Sequence, residues 1–358
     1  MDFSKEKLNL LKEINNKLNL EKNNYENIVF IYTPPKVGST SLVSSIRLFG
    51  INKFVVLHIH DELMLNALTG VSGITINEII QYNKYIGKNI YVIDVYRTPI
   101  ERKISEYFER LASFHFNNTE ENVNNYNIKL IISRFNKLFS HLGNDDYYFE
   151  KYDIPKIENF DFEKKYLCQI VNGIKYIKLR LNDSENWGNI LTKELGIEIK
   201  VIKDYQTINK KIGALYEKFK KEYKLPKNYY NEIQNCKYLK YYNNDKEIEE
   251  YLKKWDNKLC EEVKGYTKEE MLIYSEISNE NEVLAKIDLN HYTDNGCMCQ
   301  ICNKKREENK EKVKNGKNNI EKIHHQIGIK NEIIIKKTKK RREEERIIRG
   351  NMQNIIRK

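Results

Sequence analysis

The segment NIVFIYTPPKVGSTSLVSSI, residues 27–46, decides how the chain begins to fold. A β-branched and aromatic run at 28–33 predicts a buried strand, and the pattern that follows predicts a helix over 40–49. Between them lie two prolines, a lysine, a glycine and three small hydroxylated residues. A strand, a tight turn and a helix in this order are typical of the α/β class.

The rest of the chain repeats this alternation. Further strands are predicted at 53–60, 89–96 and 174–181, and helices at 4–22, 76–86, 99–113, 121–140, 185–195, 208–223 and 245–256. The strands are almost continuously apolar, as strands are when helices cover both faces of a parallel sheet. We therefore expect a three-layer α/β fold with a central, mostly parallel sheet and helices on both faces.

The helix predicted at 99–113 has a well-marked start. Thr98 suits the N-cap, Pro99 suits the first helical position, and Glu101 stands where a capping box needs an acid. The sequence therefore predicts a helix whose first turn is capped by Thr98.

Charge divides the chain into a neutral body and a basic end. Residues 304–358 hold 19 Lys or Arg against eight Asp or Glu, so the whole formal excess of +11 lies there. We expect an amphipathic helix at 1–25, a catalytic domain at 26–275, a Cys/His-containing linker at 276–303, and a basic tail that is helical or disordered. A neutral body does not favour a nucleic-acid-binding fold. We expect the tail to be a solubilising extension, with nucleic acid, anionic membrane or an acidic protein as the alternative partners.

Targeting signals are not evident in the sequence. It has no run of about 18 apolar residues, and its first 20 residues are charged and amphipathic. The six cysteines do not suggest a disulfide framework. We expect no transmembrane segment, no signal peptide, and a cytoplasmic or other reducing intracellular compartment.

The turn after the first strand has the composition of an anion-binding site. In open α/β sheets, ligands gather at the carboxyl ends of strands, where helix N-termini attract negative charge. Lys36 adds a cation, and Gly38 lets the backbone approach a ligand closely. The full set expected to bind phosphate is Lys36, Val37, Gly38, Ser39, Thr40 and Ser41. The lysine precedes the only glycine, so the turn is neither a Walker A loop nor a dinucleotide fingerprint.

This turn resembles the 5′-phosphosulfate loop of sulfotransferases that use 3′-phosphoadenosine 5′-phosphosulfate. A second stretch, VYRTPIERKISEY at 95–107, is similar to the 3′-phosphate motif of that family. The resemblance implies that Arg97 clamps the 3′-phosphate and that Ser105 donates a hydroxyl to it. It also implies that the nucleotide is the co-substrate and that no metal is required, because protein cations meet its anionic groups.

Transfer of a sulfuryl group to a hydroxyl needs a base and a positive charge on the leaving phosphate. Lys36 suits the second task. In the family, the base is a histidine or glutamate between the two phosphate motifs, and here that region contains HIHDE at 58–62. These candidates fall where the resemblance places the base, and His60 is favoured because it is nearer the end of the strand, with His58 in support and Glu62 as the next candidate. Strand alternation puts both histidines on one face, so partial metal ligation or simple burial is an alternative.

The acceptor side is less well marked. YIKLRLNDSENWGNIL at 176–191 and QTINKKIGALYEKFKKEYKLP at 206–226 resemble polysaccharide-modifying members, including putative capsular polysaccharide synthesis proteins. The resemblance, which covers 26–256, implies a carbohydrate or polysaccharide acceptor. The NKK at 209–211 lacks the tryptophan expected beside it, which leaves its role open. Arg180 could face a ligand or form an ion pair at the strand end.

The cysteine cluster near the linker offers a different chemistry. His291, Cys297, Cys299 and Cys302 could together bind zinc, but their spacing lacks paired C-x2-C knuckles. Reduced cysteines without a metal are the favoured interpretation.

Two other function classes compete with the sulfotransferase. A P-loop kinase or NTPase would share the fold outline and would need a magnesium carboxylate, for which Asp94 is the nearest candidate. A non-catalytic nucleotide-fold module would use the basic tail to recruit a partner.

Overall fold

The computed structural model describes residues 3–21, 25–115, 125–139, 146–203, 206–281, 287–288, 299–317, 320 and 332–333. The chain divides into two compact units. The first takes Met1–Arg97, Asp145–Tyr205 and Asp288–Asn331, and the second takes Thr98–Asn144, Gln206–Ile287 and Glu332–Lys358. The boundaries at 25, 275 and 303 stay predictions. Among the described helices, none has the length and apolar character needed to cross a membrane.

Strands and helices alternate through the first half of the chain, and helices dominate the second half. The strands are β1 (Asn27–Tyr32), β2 (Phe54–Ile59), β3 (Asn89–Tyr96), β4 (Tyr166–Val171), β5 (Ile174–Arg180), β6 (Leu225–Pro226), β7 (Leu259–Cys260), β8 (Ile287–Asp288) and β9 (Glu332–Ile333). The helices are α1 (Lys5–Lys17), α2 (Ser39–Gly50), α3 (Glu62–Thr69), α4 (Ile76–Tyr85), α5 (Pro99–Glu109), α6 (Leu111–Phe114), α7 (Ile128–Leu138), α8 (Tyr147–Glu150), α9 (Trp187–Leu195), α10 (Gly213–Glu222), α11 (Lys227–Gln234), α12 (Lys237–Tyr242), α13 (Asp245–Asp256), α14 (Lys268–Asn281) and α15 (Gln300–Lys314).

The first unit contains a five-stranded sheet in the order β2-β1-β3-β5-β4. The first four strands run parallel, and β4 pairs antiparallel with β5 at the edge. The chain leaves β1 for β2 on one side and then crosses to β3 on the other. The carboxyl ends of β1 and β3 therefore flank a topological switch point, which is where open α/β sheets bind ligands.

Alternating strand residues build the core on one face of the sheet. Val29 and Ile31 of β1, with their counterparts on the neighbouring strands, pack against apolar residues of α2 and α9. Trp187, at the start of α9, is almost fully buried in this cluster. The packing places the first turn of α2 beside the carboxyl end of β1.

The second unit has an aromatic core. Tyr107 and Phe108 of α5 pack with Phe135 of α7 and with Phe219 and Tyr223 near the end of α10. Tyr107 and Phe114 stack with ring centroids 5.4 Å apart. Large rings carry most of the apolar burial here, which accounts for part of the tyrosine content.

The predicted α/β class and the mostly parallel sheet are confirmed. β3 and α13 have the predicted bounds, and β1, β2, β5, α2 and α4 agree within two residues at each end. The elements that were not predicted are strand β4, the two-residue strands β6 to β9, and helices α3, α8, α11, α12 and α14. β4 is an edge strand with two consecutive buried residues at its start and partly or fully exposed residues after them, so its burial shows no alternation. The predicted helix 121–140 is α7 in the described part, and 116–124 and 140–145 lie outside it.

The predicted capping box at the start of α5 is wrong. Thr98 is the N-cap residue but its side chain makes no capping hydrogen bond. The Glu101 carboxylate instead accepts hydrogen bonds from the Tyr251 hydroxyl at 2.9 Å and the Lys254 ammonium at 2.6 Å. Partners from α13 compete for the acid, which a local sequence motif cannot reveal.

The beginning of the tail is a helix with one buried face. Cys302, Arg306, Asn309 and Val313 of α15 are buried, at the spacing of a helix stripe. Val313 packs with Leu48 near the end of α2. The start of the tail is therefore helical, one of the two expected states, and one face of this helix is buried, while the charged stretch after 333 lies outside the described residues.

Candidate active site

The turn between β1 and α2 has an unusual backbone. Lys36 has φ +66° and Gly38 has φ +93°, so two residues of the turn adopt left-handed conformations. A Cβ on Gly38 would lie 2.9 Å from Leu181 Cδ1 and 3.1 Å from Trp187 Cη2. Gly38 is therefore required both by its backbone angle and by close packing. The first turn of α2 carries no acidic residue, which suits the binding of an anion.

Arg97 meets this turn directly. Its Nη1 atom donates a hydrogen bond of 2.7 Å to the backbone oxygen of Lys36. The end of β3 and the turn after β1 thus come together at the switch point. Arg97 is half-buried, and its planar guanidinium has five N–H donors in all.

Ser105 belongs to the second unit, where it lies on α5 and is 5% exposed. Its role beside Arg97 stays a prediction from the resemblance.

His58 lies at the end of β2, on the face that packs against α2. The side chain is 2% exposed, and its Nε2 atom lies 3.0 Å from the Ser39 hydroxyl oxygen. The ring centroids of His58 and His60 are 4.7 Å apart, at 80°. The two rings therefore lie together, as strand alternation predicts, and His58 is the more deeply buried of the pair.

His60 is held from two directions. Its Nδ1 atom lies 2.7 Å from the Thr33 carbonyl oxygen, and the Tyr147 hydroxyl donates to the His60 carbonyl oxygen at 2.5 Å. A carbonyl oxygen can only accept, so Nδ1 carries a proton, and in the neutral form of the ring the lone pair is then on Nε2. His60 is also less buried than His58. Among the three candidate bases, this geometry suits His60 best.

Glu62 is engaged elsewhere. It accepts a hydrogen bond of 3.2 Å from the Tyr32 hydroxyl and lies 3.6 Å from the Lys151 ammonium. Burial and the neighbouring Glu62 raise the pKa of Tyr32, so the phenol stays a donor. These two partners leave Glu62 a weaker candidate than His60.

A buried charge cluster behind the site was not predicted. The Lys178 ammonium of β5 lies 2.6 Å from Asp94 Oδ2 and 3.0 Å from Asp146 Oδ1, and all three side chains are at most 1% exposed. The Thr33 hydroxyl donates to Asp94 Oδ1 at 2.8 Å. The sequence signal for this cluster was Lys178 itself, a charged residue between the apolar residues Ile177 and Leu179 of β5.

Two carboxylates share one cation in this cluster, and the directions of the pKa shifts reflect it. Burial would lower the pKa of Lys178, but Asp146 and Asp94 outweigh burial and raise it. Burial also raises the pKa of Asp94, with Asp146 adding to the rise and Lys178 opposing it. A salt bridge alone would lower the pKa of an acid. At Asp94 burial is the larger cause of the rise and the second carboxylate adds to it, whereas at Lys178 the two carboxylates together outweigh burial.

Arg180 forms an ion pair. Its Nε atom lies 2.5 Å from Asp183 Oδ2 and its guanidinium lies 5.0 Å from the centroid of Phe160. The side chain is 2% exposed. Of the two hypotheses for Arg180, contact with a ligand or an ion pair at the strand end, the structure therefore favours the ion pair.

The lysines at 210 and 211 belong to the second unit, where the Lys210 ammonium lies 2.5 Å from Glu109 Oε2. Of the cysteine cluster, His291 and Cys297 lie outside the described residues. Cys299 is the N-cap of α15 and Cys302 is buried on that helix. The described residues contain no group of three or more His, Cys, Asp or Glu arranged to hold a metal ion.

Comparison with protein-family models, with curated proteins and with solved structures finds no match to this chain.

Proposed function

We propose that this protein is a sulfotransferase. It transfers a sulfuryl group from 3′-phosphoadenosine 5′-phosphosulfate to a hydroxyl of a carbohydrate or polysaccharide. The observation that carries the proposal is the hydrogen bond from Arg97 to the Lys36 backbone, because it joins the two phosphate-type motifs at the switch point.

The donor is held by cations and by the start of α2. Lys36, the backbone N–H groups of Val37 and Gly38, and the hydroxyls of 39–41 bind the 5′-phosphosulfate. Arg97 binds the 3′-phosphate with its guanidinium, the role that the resemblance implies. No metal takes part in this scheme.

His60 acts as the general base. The acceptor oxygen attacks sulfur while its proton passes to Nε2 of His60, the nitrogen that the Thr33 contact leaves as the lone-pair site. The bond from sulfur to the bridging oxygen breaks, and adenosine 3′,5′-bisphosphate departs. Lys36 stabilises the negative charge that develops on the departing phosphate.

The kinase alternative requires a carboxylate that is available to magnesium. Asp94 is buried, and its oxygens accept hydrogen bonds from Thr33 and from the Lys178 ammonium. A cation already occupies the place where magnesium would bind. The contact with Lys178 supports a structural role for Asp94, and it does not favour the kinase alternative.

Calorimetric titration with adenosine 3′,5′-bisphosphate, AMP, and ATP with magnesium tests the proposal. We expect selective binding of the bisphosphate, and its loss in Lys36→Ala and Arg97→Ala. Lys53→Ala is the matched control, because Lys53 is exposed at the opposite end of β2. Preference for magnesium-ATP, or no binding, would contradict the donor site.

Transfer is then measured with labelled sulfate on a panel of saccharide acceptors. We expect turnover that falls by about 100-fold or more in His60→Gln, in line with the loss of a general base. Tight bisphosphate binding without turnover on any acceptor would favour the non-catalytic binding module instead.

A further inference from the structure

The candidate base closes a ring of contacts that begins and ends at His60. Its Nδ1–H donates to the Thr33 carbonyl, and the Thr33 hydroxyl donates to Asp94. Lys178 bridges Asp94 to Asp146. The residue after Asp146 is Tyr147, whose hydroxyl donates to the His60 carbonyl. Every member of the ring belongs to the first unit.

The charged part of the ring is rigid for an energetic reason. Lys178, Asp94 and Asp146 are buried, so breaking either ion pair would leave a charge in an apolar interior. Removing one partner of a buried pair is strongly destabilising. Asp146 also caps α8 by accepting from the Tyr148 backbone N–H at 3.0 Å. The cluster therefore anchors Tyr147 at one end and Thr33 at the other.

Both anchors act on the same histidine. Thr33 presents an acceptor that only the protonated Nδ1 can use, and the Thr33 hydroxyl also accepts from the Val95 backbone N–H at 3.0 Å. Tyr147 holds the backbone of His60 just beyond the end of β2. A second tether joins the two regions, because the Tyr152 hydroxyl donates to the Tyr32 carbonyl at 2.5 Å. The imidazole thus has a defined tautomer as well as a defined direction.

We propose that Thr33, Asp94, Lys178, Asp146 and Tyr147 are positioning residues that hold His60 as its Nδ1–H tautomer. None of them touches a reacting atom in this scheme. Their use in sulfuryl transfer rests on the proposed function, whereas the tautomer is a property of the protein alone. The ring also links the base to the phosphate turn, because Thr33 directly precedes the two prolines.

Two mild variants test the ring. Tyr147→Phe removes the hydroxyl bond to His60, and Thr33→Val removes the hydroxyl bond to Asp94 while keeping the side-chain shape. The matched control is Tyr148→Phe on the same helix, which removes a hydroxyl whose bond goes to Gln169. These changes leave the buried charges paired, so folding is expected in all three variants.

Nitrogen-15 NMR of the histidine rings, assigned with His60→Gln, is the readout. In the native protein, and in Tyr148→Phe, we expect His60 to be the Nδ1–H tautomer. In Tyr147→Phe and Thr33→Val we expect a mixture of the two tautomers. An Nε2–H tautomer in the native protein, or unchanged spectra in both test variants, would overturn the inference.

Kinetics separates this inference from the proposed function. If transfer occurs, Tyr147→Phe should lower kcat about 10-fold and leave bisphosphate affinity unchanged. Absence of transfer with the tautomer intact would refute the sulfotransferase and leave the ring standing. Transfer by a native protein in which the tautomer is mixed would refute the ring alone.

Discussion

The guanidinium of Arg97 donates a hydrogen bond of 2.7 Å to the backbone oxygen of Lys36. The two residues are 61 positions apart in the chain and follow two neighbouring strands of the sheet, β1 and β3. The contact fixes the approach of an arginine to a turn whose backbone is already constrained at two positions. In the proposed function, this contact joins the two motifs that bind the phosphate groups of the donor.

Arg97→Lys keeps the charge and removes the planar fork. We expect bisphosphate affinity to fall about 10- to 100-fold, because a hydrogen bond to a charged group contributes about 1.5–3 kcal/mol. Calorimetry measures the loss. An affinity equal to that of the native protein would show that charge alone is needed at this position.

Gly38→Ala should be much more damaging than Gly70→Ala. Both glycines have positive φ, but a Cβ at position 70 meets no atom within 4 Å, whereas one at 38 meets Leu181 and Trp187. We expect about 1–2 kcal/mol of destabilisation for Gly70→Ala from its backbone alone. Overpacking should add about 1–3 kcal/mol for Gly38→Ala. The midpoints of urea unfolding of the two variants measure this difference in stability. Equal midpoints would contradict the packing argument.

Two substitutions separate the effect of the Lys36 charge from the effect of its backbone conformation. Lys36→Ala and Lys36→Gly both remove the cation, so both should lose bisphosphate binding. Glycine adopts φ +66° at lower cost than alanine does. The free energy of unfolding of Lys36→Gly should therefore be about 0.5–1 kcal/mol larger than that of Lys36→Ala. The order is reversed if the turn does not hold residue 36 in this conformation.

His115 predicts how the stability of the second unit depends on pH. Burial, with the Arg134 guanidinium beside it, lowers the pKa of His115 to about 3. Arg134 donates to Nδ1 at 3.0 Å, which the neutral ring accepts. The folded protein keeps this histidine neutral, while the unfolded chain takes up a proton below its ordinary pKa of about 6.5. The contribution of His115 to the free energy of unfolding is therefore fully present above pH 6.5 and is lost as the pH falls toward 3.

Denaturant unfolding between pH 4 and 6.5 measures this effect. The free energy of unfolding should fall by at most about 1.4 kcal/mol per pH unit through His115, and His115→Gln should remove that part of the slope. Other groups contribute equally to both proteins, so the difference between their slopes isolates His115. Parallel slopes would contradict a neutral buried imidazole.

The sequence by itself determined the features that depend on neighbours along the chain. Apolar runs of β-type residues predicted β1, β2, β3 and β5, and the helix patterns predicted α2, α4 and α13. The turn at Lys36 and Gly38 was evident because strand, glycine, cation and hydroxyls follow one another within a few residues. Strand alternation was enough to place His58 and His60 on one face.

Tertiary structure alone decided which distant side chains became partners. Lys178 pairs with Asp94 across 84 positions, and Glu101 leaves its predicted cap for Lys254, 153 positions away. α15 buries a stripe against α2 although its composition is that of a solvated helix. In each case a charge or a polar helix is stabilised by a partner that the fold supplies, and no local pattern encodes the identity of that partner. His60 shows the same division. The sequence predicted its place at the end of β2, whereas its tautomer depends on the carbonyl of Thr33, the residue after β1.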